Sequence, residues 1–180
     1  ASKALNFSTQ KTMRLAQQLY EGIDIKGQGT VGLITYLRTD STRVSEEAEE
    51  MAREFISANY GEQYLAEEHR EKKDNKKIQD AHEAIRPSDI KRTPSDIKDS
   101  LSRDQYRLYQ LIWKRFVASR MADAVYETVS VKISANEHRF TMSAGKIKFE
   151  GFRSVYIQEE DEKEQSNVLL KNLEKGDVLS

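Results

Sequence analysis

The stretch GLITYLRTDST (32–42) places a tyrosine and an arginine two residues apart, Tyr36 and Arg38. Its apolar residues predict a strand over 30–37, and residues i and i+2 of a strand point to the same face of a sheet. Tyr36 and Arg38 could therefore contact one ligand. The pair suits nucleophilic attack on a phosphate, because a guanidinium binds phosphate oxygens bidentately and stabilises the charge that develops there. An ordinary sheet tyrosine with an arginine neighbour fits the same pattern.

A tyrosine nucleophile needs help from its surroundings, because a phenol is almost fully protonated at neutral pH. Arg38 supplies one cation. The residues that follow it, Thr39, Asp40 and Ser41, are polar. We expect them either to hydrogen-bond a nucleic-acid backbone or, through Asp40, to orient the guanidinium. A turn that leads into the next helix explains the same residues equally simply.

A second motif, QDAHEAIRPSD (79–89), contains a histidine and an arginine four residues apart, His82 and Arg86. Asp80 with Glu83 resembles a capping box, and Pro87 ends any helix before it. The spacing thus predicts a short helix that places His82 and Arg86 on one face, where they could bind a phosphate together. A structural or merely exposed histidine is the alternative.

Three amphipathic helices are predicted to position these motifs, because apolar residues recur at helical spacing over 13–20, 48–56 and 106–117. Ser45 is the expected N-cap of the second helix, with Gly61 just beyond its end. Ser102 is the expected N-cap of the third, which should run from Arg103 to Met121. The segment GIDIKGQGTVGLITYL (22–37) predicts a hairpin between the first two helices. Helix, hairpin, helix is the order of a winged helical module.

After about residue 120 the apolar period changes to two, which predicts antiparallel strands. Turns are expected at SANEHR (134–139) and SAGK (143–146), and the acidic run 158–167 reads as a loop before a short last strand, VLL. Three or four strands are a thin basis for a fold, so we expect an incomplete sheet whose partner strands lie outside this chain. The predicted class is α+β, a helical winged-helix-like domain followed by an incomplete antiparallel β domain.

The composition excludes several kinds of protein. The chain has 180 residues, of which 37% are hydrophobic, enough for a core of ordinary size. It has no cysteine and three scattered histidines, so no disulfide framework, thiol nucleophile or zinc site is expected. No run of eighteen apolar residues predicts a membrane span, and no secretory signal is evident. The net charge of −1 indicates that any anion-binding site is local.

Taken together, GLITYLRTDST (32–42), AHEAIRPSD (81–89) and LYQLIWKRFVASRM (108–121) closely resemble the central part of type IA DNA topoisomerases of bacteria. The resemblance runs along essentially the whole chain and includes TMRLAQQLYEG (12–22). Leu37 favours the topoisomerase I branch, because the topoisomerase III branch tends to have proline after the tyrosine. The resemblance implies an ATP-independent isomerase that relaxes negatively supercoiled DNA through transient cleavage of one strand, strand passage and religation.

The same resemblance implies roles for individual residues. Tyr36 matches the nucleophile, which becomes joined to a 5′ phosphate and leaves a free 3′ hydroxyl. Arg38 matches the arginine that contacts the scissile phosphate, and His82 matches the histidine of the HEAIRP motif that helps bind it. The residues expected to contact DNA or to support the site are Arg38, Thr35, Thr39, Asp40, Ser41 and Arg86.

The resemblance also implies what this chain lacks. The family binds Mg²⁺ through acidic residues of a Toprim domain, and nothing here matches that motif, so no metal ligand is expected in this chain. Residues 1–118 resemble the helical domain that carries the tyrosine, and residues 119–180 resemble part of the β-rich gate domain. The expected partners are single-stranded and negatively supercoiled DNA and the remaining domains of the enzyme, and no membrane is expected among them. The expected location is the cytoplasm, in association with the nucleoid.

Three further expectations depend on this interpretation. By itself the chain should not relax DNA, because the tyrosine lacks the facing half of its site. Unpaired strands over 125–157 should promote self-association of the chain. The alternative function is a non-catalytic winged-helix DNA-binding module, in which Tyr36 packs in the wing and Arg38 contacts the DNA backbone.

Overall fold

The computed structural model describes residues 1–66 and 82–157 and divides the chain into two compact units, Ala1–Ala122 and Asp123–Ser180. Among the described residues, the first unit holds four α-helices and a small hairpin, and the second holds a long hairpin. The main elements are α1 (Ser2–Leu5), α2 (Thr9–Glu21), β1 (Ile23–Ile25), β2 (Gly29–Val31), α3 (Glu46–Tyr60), α4 (Arg103–Ser119), β3 (Val125–Ala135) and β4 (His138–Phe149). Both helix and antiparallel strand are present, as the predicted α+β class requires.

Serine caps begin the three long helices. The Ser8 side chain accepts a hydrogen bond from the third residue beyond it, and Ser45 does the same at the start of α3. Ser102 and Gln105 form a complete capping box at the start of α4. The predicted caps at Ser45 and Ser102 are confirmed. Helix α4 ends at Ser119, two residues before the predicted end.

The core of the first unit forms where the apolar faces of α2, α3 and α4 are buried, with Leu19, Ile56 and Val117 fully enclosed. Two aromatic residues of α4 bury their rings and satisfy their polar atoms on the main chain. The Tyr109 hydroxyl donates to the carbonyl of Arg92 at 2.7 Å, and Trp113 Nε1 donates to the carbonyl of Ile90 at 2.9 Å. Burial raises the pKa of Tyr109 well above its ordinary value.

The hairpin of β1 and β2 is confirmed, but its second strand is shorter than predicted. Ile23 pairs with Val31 and Ile25 with Gly29, and the strand ends at Val31 instead of continuing to residue 37. Beyond that point the hydrogen-bond partners change. The Leu33 N–H donates to the carbonyl of Leu19, in α2. Residues 35–38 therefore lie in an irregular segment that several different elements hold in place.

The short helix predicted over 80–86 is wrong for the residues that the structure describes. Residues 82–86 are not helical, and Pro87 forms an isolated antiparallel bridge with Ile34. Main-chain groups of this segment bond to distant residues: the Ala84 N–H donates to the carbonyl of Arg43, and the carbonyl of Arg86 accepts from Thr35 N–H. These tertiary hydrogen bonds replace the local ones that a helix would make. Position 80, the expected cap, lies outside the described residues.

The second unit contains the hairpin of β3 and β4, which turns at Asn136 in the left-handed conformation. The turn at SANEHR is confirmed. The turn predicted at SAGK is wrong, because residues 143–146 belong to strand β4 and pair with β3. Val129, Val131 and Ile133 pair with Ala144, Met142 and Phe140, so these apolar side chains share one face, and several are exposed. Self-association of the chain across an open strand edge of residues 125–157, or by strand swapping, stays a prediction, which a strictly monomeric mass at high micromolar concentration would contradict.

The described part of the second unit contains two strands, fewer than the three or four expected. The acidic run and the VLL strand fall outside the described residues. The winged-helix-like and gate assignments stay predictions. No helix in the described ranges is long and apolar enough to cross a membrane.

Candidate functional site

Tyr36 lies on the surface of the first unit, with 57% of the residue exposed. The irregular segment that carries it begins at the end of β2, and the residues on its N-terminal side, Leu33 and Ile34, are buried. The phenol is thus presented to solvent by a segment that is anchored in the core. A side chain in this position can reach a large ligand such as a nucleic-acid backbone.

Arg38 and His82, two of the predicted site residues, are in direct contact although 44 positions separate them in sequence. Arg38 Nη1 lies 2.7 Å from His82 Nε2, and Arg38 Nε lies 3.3 Å from a carboxylate oxygen of Asp40. Guanidinium nitrogens only donate, so His82 Nε2 is the acceptor in this contact. Asp40 and His82 therefore orient the Arg38 guanidinium from two sides.

The Thr35 hydroxyl joins the tyrosine segment to the histidine segment. Its oxygen donates to the carbonyl of Ala84 at 2.8 Å and accepts from the Arg86 N–H at 3.0 Å. The Thr35 N–H also donates to the carbonyl of Arg86 at 2.9 Å. Since His82 lies two residues before Ala84, these bonds set its distance from the Tyr36 segment. The hydrogen bonds of Thr35 go to protein main chain, and its contact with DNA stays a prediction.

Ser88 extends this connection, although the sequence motifs gave it no role. Its hydroxyl donates to the carbonyl of Gly32 at 2.6 Å, and its N–H donates to the carbonyl of Leu33 at 3.0 Å. The two segments thus run beside each other from residues 32 to 35 and 84 to 88. The PSD sequence around Ser88 carries the signal of a turn, and no local signal identifies its distant partner.

Arg86 and Glu83 form a largely buried ion pair beneath the site. Their side chains are 11% and 19% exposed, and Arg86 Nη2 lies 2.8 Å from a Glu83 carboxylate oxygen. Arg86 also donates to the carbonyl of Pro87 and reaches the hydroxyl of Ser45, the N-cap of α3. Burial raises the pKa of the Glu83 carboxyl, but hydrogen bonds with Ser45 and the charge of Arg86 outweigh it and leave that pKa below its ordinary value.

These contacts divide the residues that were predicted to bind DNA. Thr39 and Asp40 are exposed beside Arg38. Ser41 is 8% exposed, and its hydroxyl accepts from the Arg43 N–H. Arg86 is held by protein groups in the same way. The positions of Thr39 and Asp40 leave them accessible to a ligand, whereas those of Ser41 and Arg86 favour a supporting role, and direct DNA contact by either stays a prediction.

Metal ligands are a separate question. Within residues 1–66 and 82–157, no group of three or more His, Cys, Asp or Glu side chains is placed to hold a metal ion. The acidic side chains at the site, Asp40 and Glu83, are each paired with an arginine. The donor set present here does not fit a Mg²⁺ site.

Comparison with known proteins gives two matches. The model of a family described as DNA topoisomerase matches residues 1–180. Among solved structures, the full-length topoisomerase I from Thermotoga maritima in a monoclinic crystal form has a TM-score of 0.75 and 41% sequence identity to this chain. That match covers 87% of this chain and 25% of the Thermotoga chain, so this chain spans about a quarter of the protein to which it is similar.

Proposed function

The chain belongs to the DNA topoisomerase family, and from that premise we propose that it is the part of a bacterial type IA topoisomerase that carries the nucleophilic tyrosine. The observation that carries the proposal is the arrangement around Tyr36. An exposed phenol stands on an anchored segment, and Arg38, two residues further along that segment, contacts His82 of a separate segment at 2.7 Å. A tyrosine that served only the core would be buried.

The proposed reaction at Tyr36 is the exchange of one phosphodiester for another. The phenol oxygen attacks a backbone phosphorus, forms an O–P bond and displaces the 3′ oxygen of the neighbouring nucleotide. The phenol proton leaves to solvent, and the displaced oxygen takes up a proton as a 3′ hydroxyl. The reverse attack by that hydroxyl reseals the strand. Since one phosphate ester replaces another, the cycle needs no ATP.

Arg38 and His82 are proposed to bind the scissile phosphate. Arg38 uses Nη1 and Nε on His82 and Asp40, and a guanidinium has five N–H donors, so others remain to bind phosphate oxygens. Thr39 and Asp40 border the same exposed surface. In this proposal Thr35 and Arg86 hold the two segments in register, and Ser41 supports the turn that follows Asp40.

We propose that the rest of the reaction depends on domains outside this chain. Mg²⁺ would be bound by the Toprim domain and would supply Lewis-acid chemistry there, since the residues described here do not fit such a site. The first unit would be the helical domain and the second unit part of the gate domain. By itself the chain should not relax DNA, and metal-dependent relaxation by the purified chain would overturn that statement. Single-stranded and negatively supercoiled DNA are the proposed substrates, in the nucleoid.

A cleavage assay tests this function. The chain is mixed with a separately made Toprim-containing segment, Mg²⁺ and end-labelled single-stranded DNA, and then denatured and examined for DNA attached to protein. We expect an adduct on this chain that Tyr36→Phe abolishes, because that change removes only the attacking oxygen. Tyr126→Phe is the matched control, since Tyr126 is 54% exposed but lies in the other unit.

One observation favours a second candidate, a non-catalytic winged-helix DNA-binding module: a short hairpin lies between α2 and α3. In that case Tyr36→Phe would remove no more than one hydrogen bond to DNA, and no adduct would form. If no adduct forms although the two segments demonstrably associate, this binding module is favoured over cleavage and religation at Tyr36. DNA binding by Arg38→Ala discriminates poorly, because both functions use a phosphate contact there.

A further inference from the structure

Tyr36 has an aromatic neighbour that neither the sequence motifs nor the proposed chemistry assigns. The ring centroids of Tyr20 and Tyr36 lie 5.4 Å apart, with an angle of 67° between the ring planes. This edge-to-face geometry is one that aromatic pairs prefer. Tyr20 lies in the last turn of α2 and is 37% exposed, so its ring is not simply part of the buried face of that helix.

Main-chain contacts fix the position of Tyr20 relative to the tyrosine segment. The Leu33 N–H donates to the carbonyl of Leu19 at 2.7 Å, which ties the segment to the end of α2. Gly32 lies against the next carbonyl: a Cβ at this position would come within 2.9 Å of the Tyr20 oxygen. Only glycine allows this approach without a shift of the backbone. These contacts bring the end of the helix and the segment together, and the rings of Tyr20 and Tyr36 then meet edge to face.

Few other contacts restrain the ring of Tyr36. More than half of the residue is exposed, and its hydroxyl makes no hydrogen bond to any residue that the structure describes. Within that part of the chain, Tyr20 is also its one aromatic contact. An exposed tyrosine with no such contact samples several side-chain rotamers, and attack on a phosphate requires one of them.

We propose that Tyr20 is a positioning residue, whose ring holds the Tyr36 phenol in the orientation from which it attacks the DNA phosphate. The inference rests on the proposed function and adds a residue to it. Tyr20 acts only through Tyr36 and touches no reacting atom. An edge-to-face pair of this kind favours one ring orientation by roughly two- to tenfold, and the cleavage rate should change by the same factor.

The first part of the test uses the 180-residue chain and does not depend on catalysis. In an NMR spectrum of tyrosine ring protons, the Tyr36 signals are those that Tyr36→Phe removes. We expect Tyr20→Leu to shift these signals, because the ring current of the neighbour is lost, and Tyr20→Phe to keep them close to wild type. Met13→Ala, at an exposed position of the same helix, is the control for a general effect on α2. Unchanged Tyr36 signals in Tyr20→Leu would overturn the contact.

The second part measures single-turnover cleavage in an enzyme that contains this chain together with the metal-binding domain. Tyr20→Leu should slow cleavage at saturating DNA by roughly two- to tenfold without changing DNA affinity, and Tyr20→Phe should restore the rate. A wild-type rate in Tyr20→Leu would overturn the positioning role while the function stands. Failure of the wild-type enzyme to form any adduct at Tyr36 would instead overturn the proposed function, and the positioning role with it.

Discussion

Replacing Thr35 with valine removes one hydroxyl and leaves the shape of the side chain almost unchanged. In the structure the two shortest hydrogen bonds of that hydroxyl go to the main chain of the HEAIRP segment, one to the carbonyl of Ala84 and one from the Arg86 N–H. Valine can make neither bond. The substitution therefore tests whether Thr35 holds this segment against the tyrosine segment, as its contacts indicate.

The expected loss of stability follows from these two bonds. Each contributes about 1 kcal/mol net, and a part-buried N–H left without a partner costs about 1–3 kcal/mol more. We therefore expect Thr35→Val to lower the free energy of unfolding by about 3–5 kcal/mol. Thr35→Ser keeps the hydroxyl and loses one methyl group, so it should lower the free energy of unfolding by only about 1 kcal/mol.

The assay is urea unfolding of the 180-residue chain, followed by the fluorescence of Trp113. This residue is the single tryptophan and is buried in the first unit, so its emission reports the unit that holds Thr35. Thr39→Val is the matched control, because Thr39 is exposed and its hydroxyl makes no hydrogen bond to any described residue. If Thr35→Val and Thr39→Val unfold at the same urea concentration, the reasoning from these hydrogen bonds is refuted.

Two other predictions use the same fluorescence signal. Gly32→Ala should destabilise the first unit by about 1–3 kcal/mol, because the new methyl group would lie 2.9 Å from the Tyr20 carbonyl oxygen and force the backbone apart. In the control Gly145→Ala, the new Cβ meets nothing within 4 Å, so the unfolding transition should not move. Equal shifts of the transition in both variants would contradict this prediction. Glu83→Gln should destabilise the unit at pH 6 and progressively less on acidification below about pH 4.5. The folded carboxyl has a lowered pKa, so its contribution is present above the unfolded value and is lost as the pH falls through the folded one. A difference from wild type that stays constant between pH 6 and pH 3 would exclude that linkage.

The three long helices were predictable because their signals are local. Ser45 and Ser102 begin α3 and α4 where the capping pattern places them, and the apolar spacing identifies the buried faces. A cap and the residues that it bonds lie within one turn of each other, so sequence alone contains both partners. The same applies to the SANEHR turn, where Asn136 takes the left-handed conformation that asparagine tolerates.

The segments around the site were not predictable in the same way. The residues up to Leu37 carry the alternation of a strand, and Asp80 with Glu83 carries the signal of a helix start, yet neither element forms as expected in the described residues. Both segments bond mainly to each other, across some fifty positions of sequence. A single sequence contains no signal for such a pairing. The contact between Arg38 and His82 depends on it, so motifs could name these residues but could not supply their geometry.

The two buried aromatic rings of α4 determine what would be needed to transfer the site to another protein. Tyr109 and Trp113 donate hydrogen bonds to the carbonyls of Arg92 and Ile90, which lie 17 and 23 positions earlier in the chain. The course of the loop that follows the HEAIRP segment therefore depends on two side chains of α4. Local hydrogen bonds, such as that from the Lys91 N–H to the Asp89 carboxylate, shape parts of the loop, but both of these aromatic contacts come from outside it. A graft of residues 82–97 onto another scaffold would keep its course only if that scaffold also supplied both rings at the same spacing. The smallest transplantable form of this site therefore includes α4, although no residue of α4 belongs to the proposed chemistry.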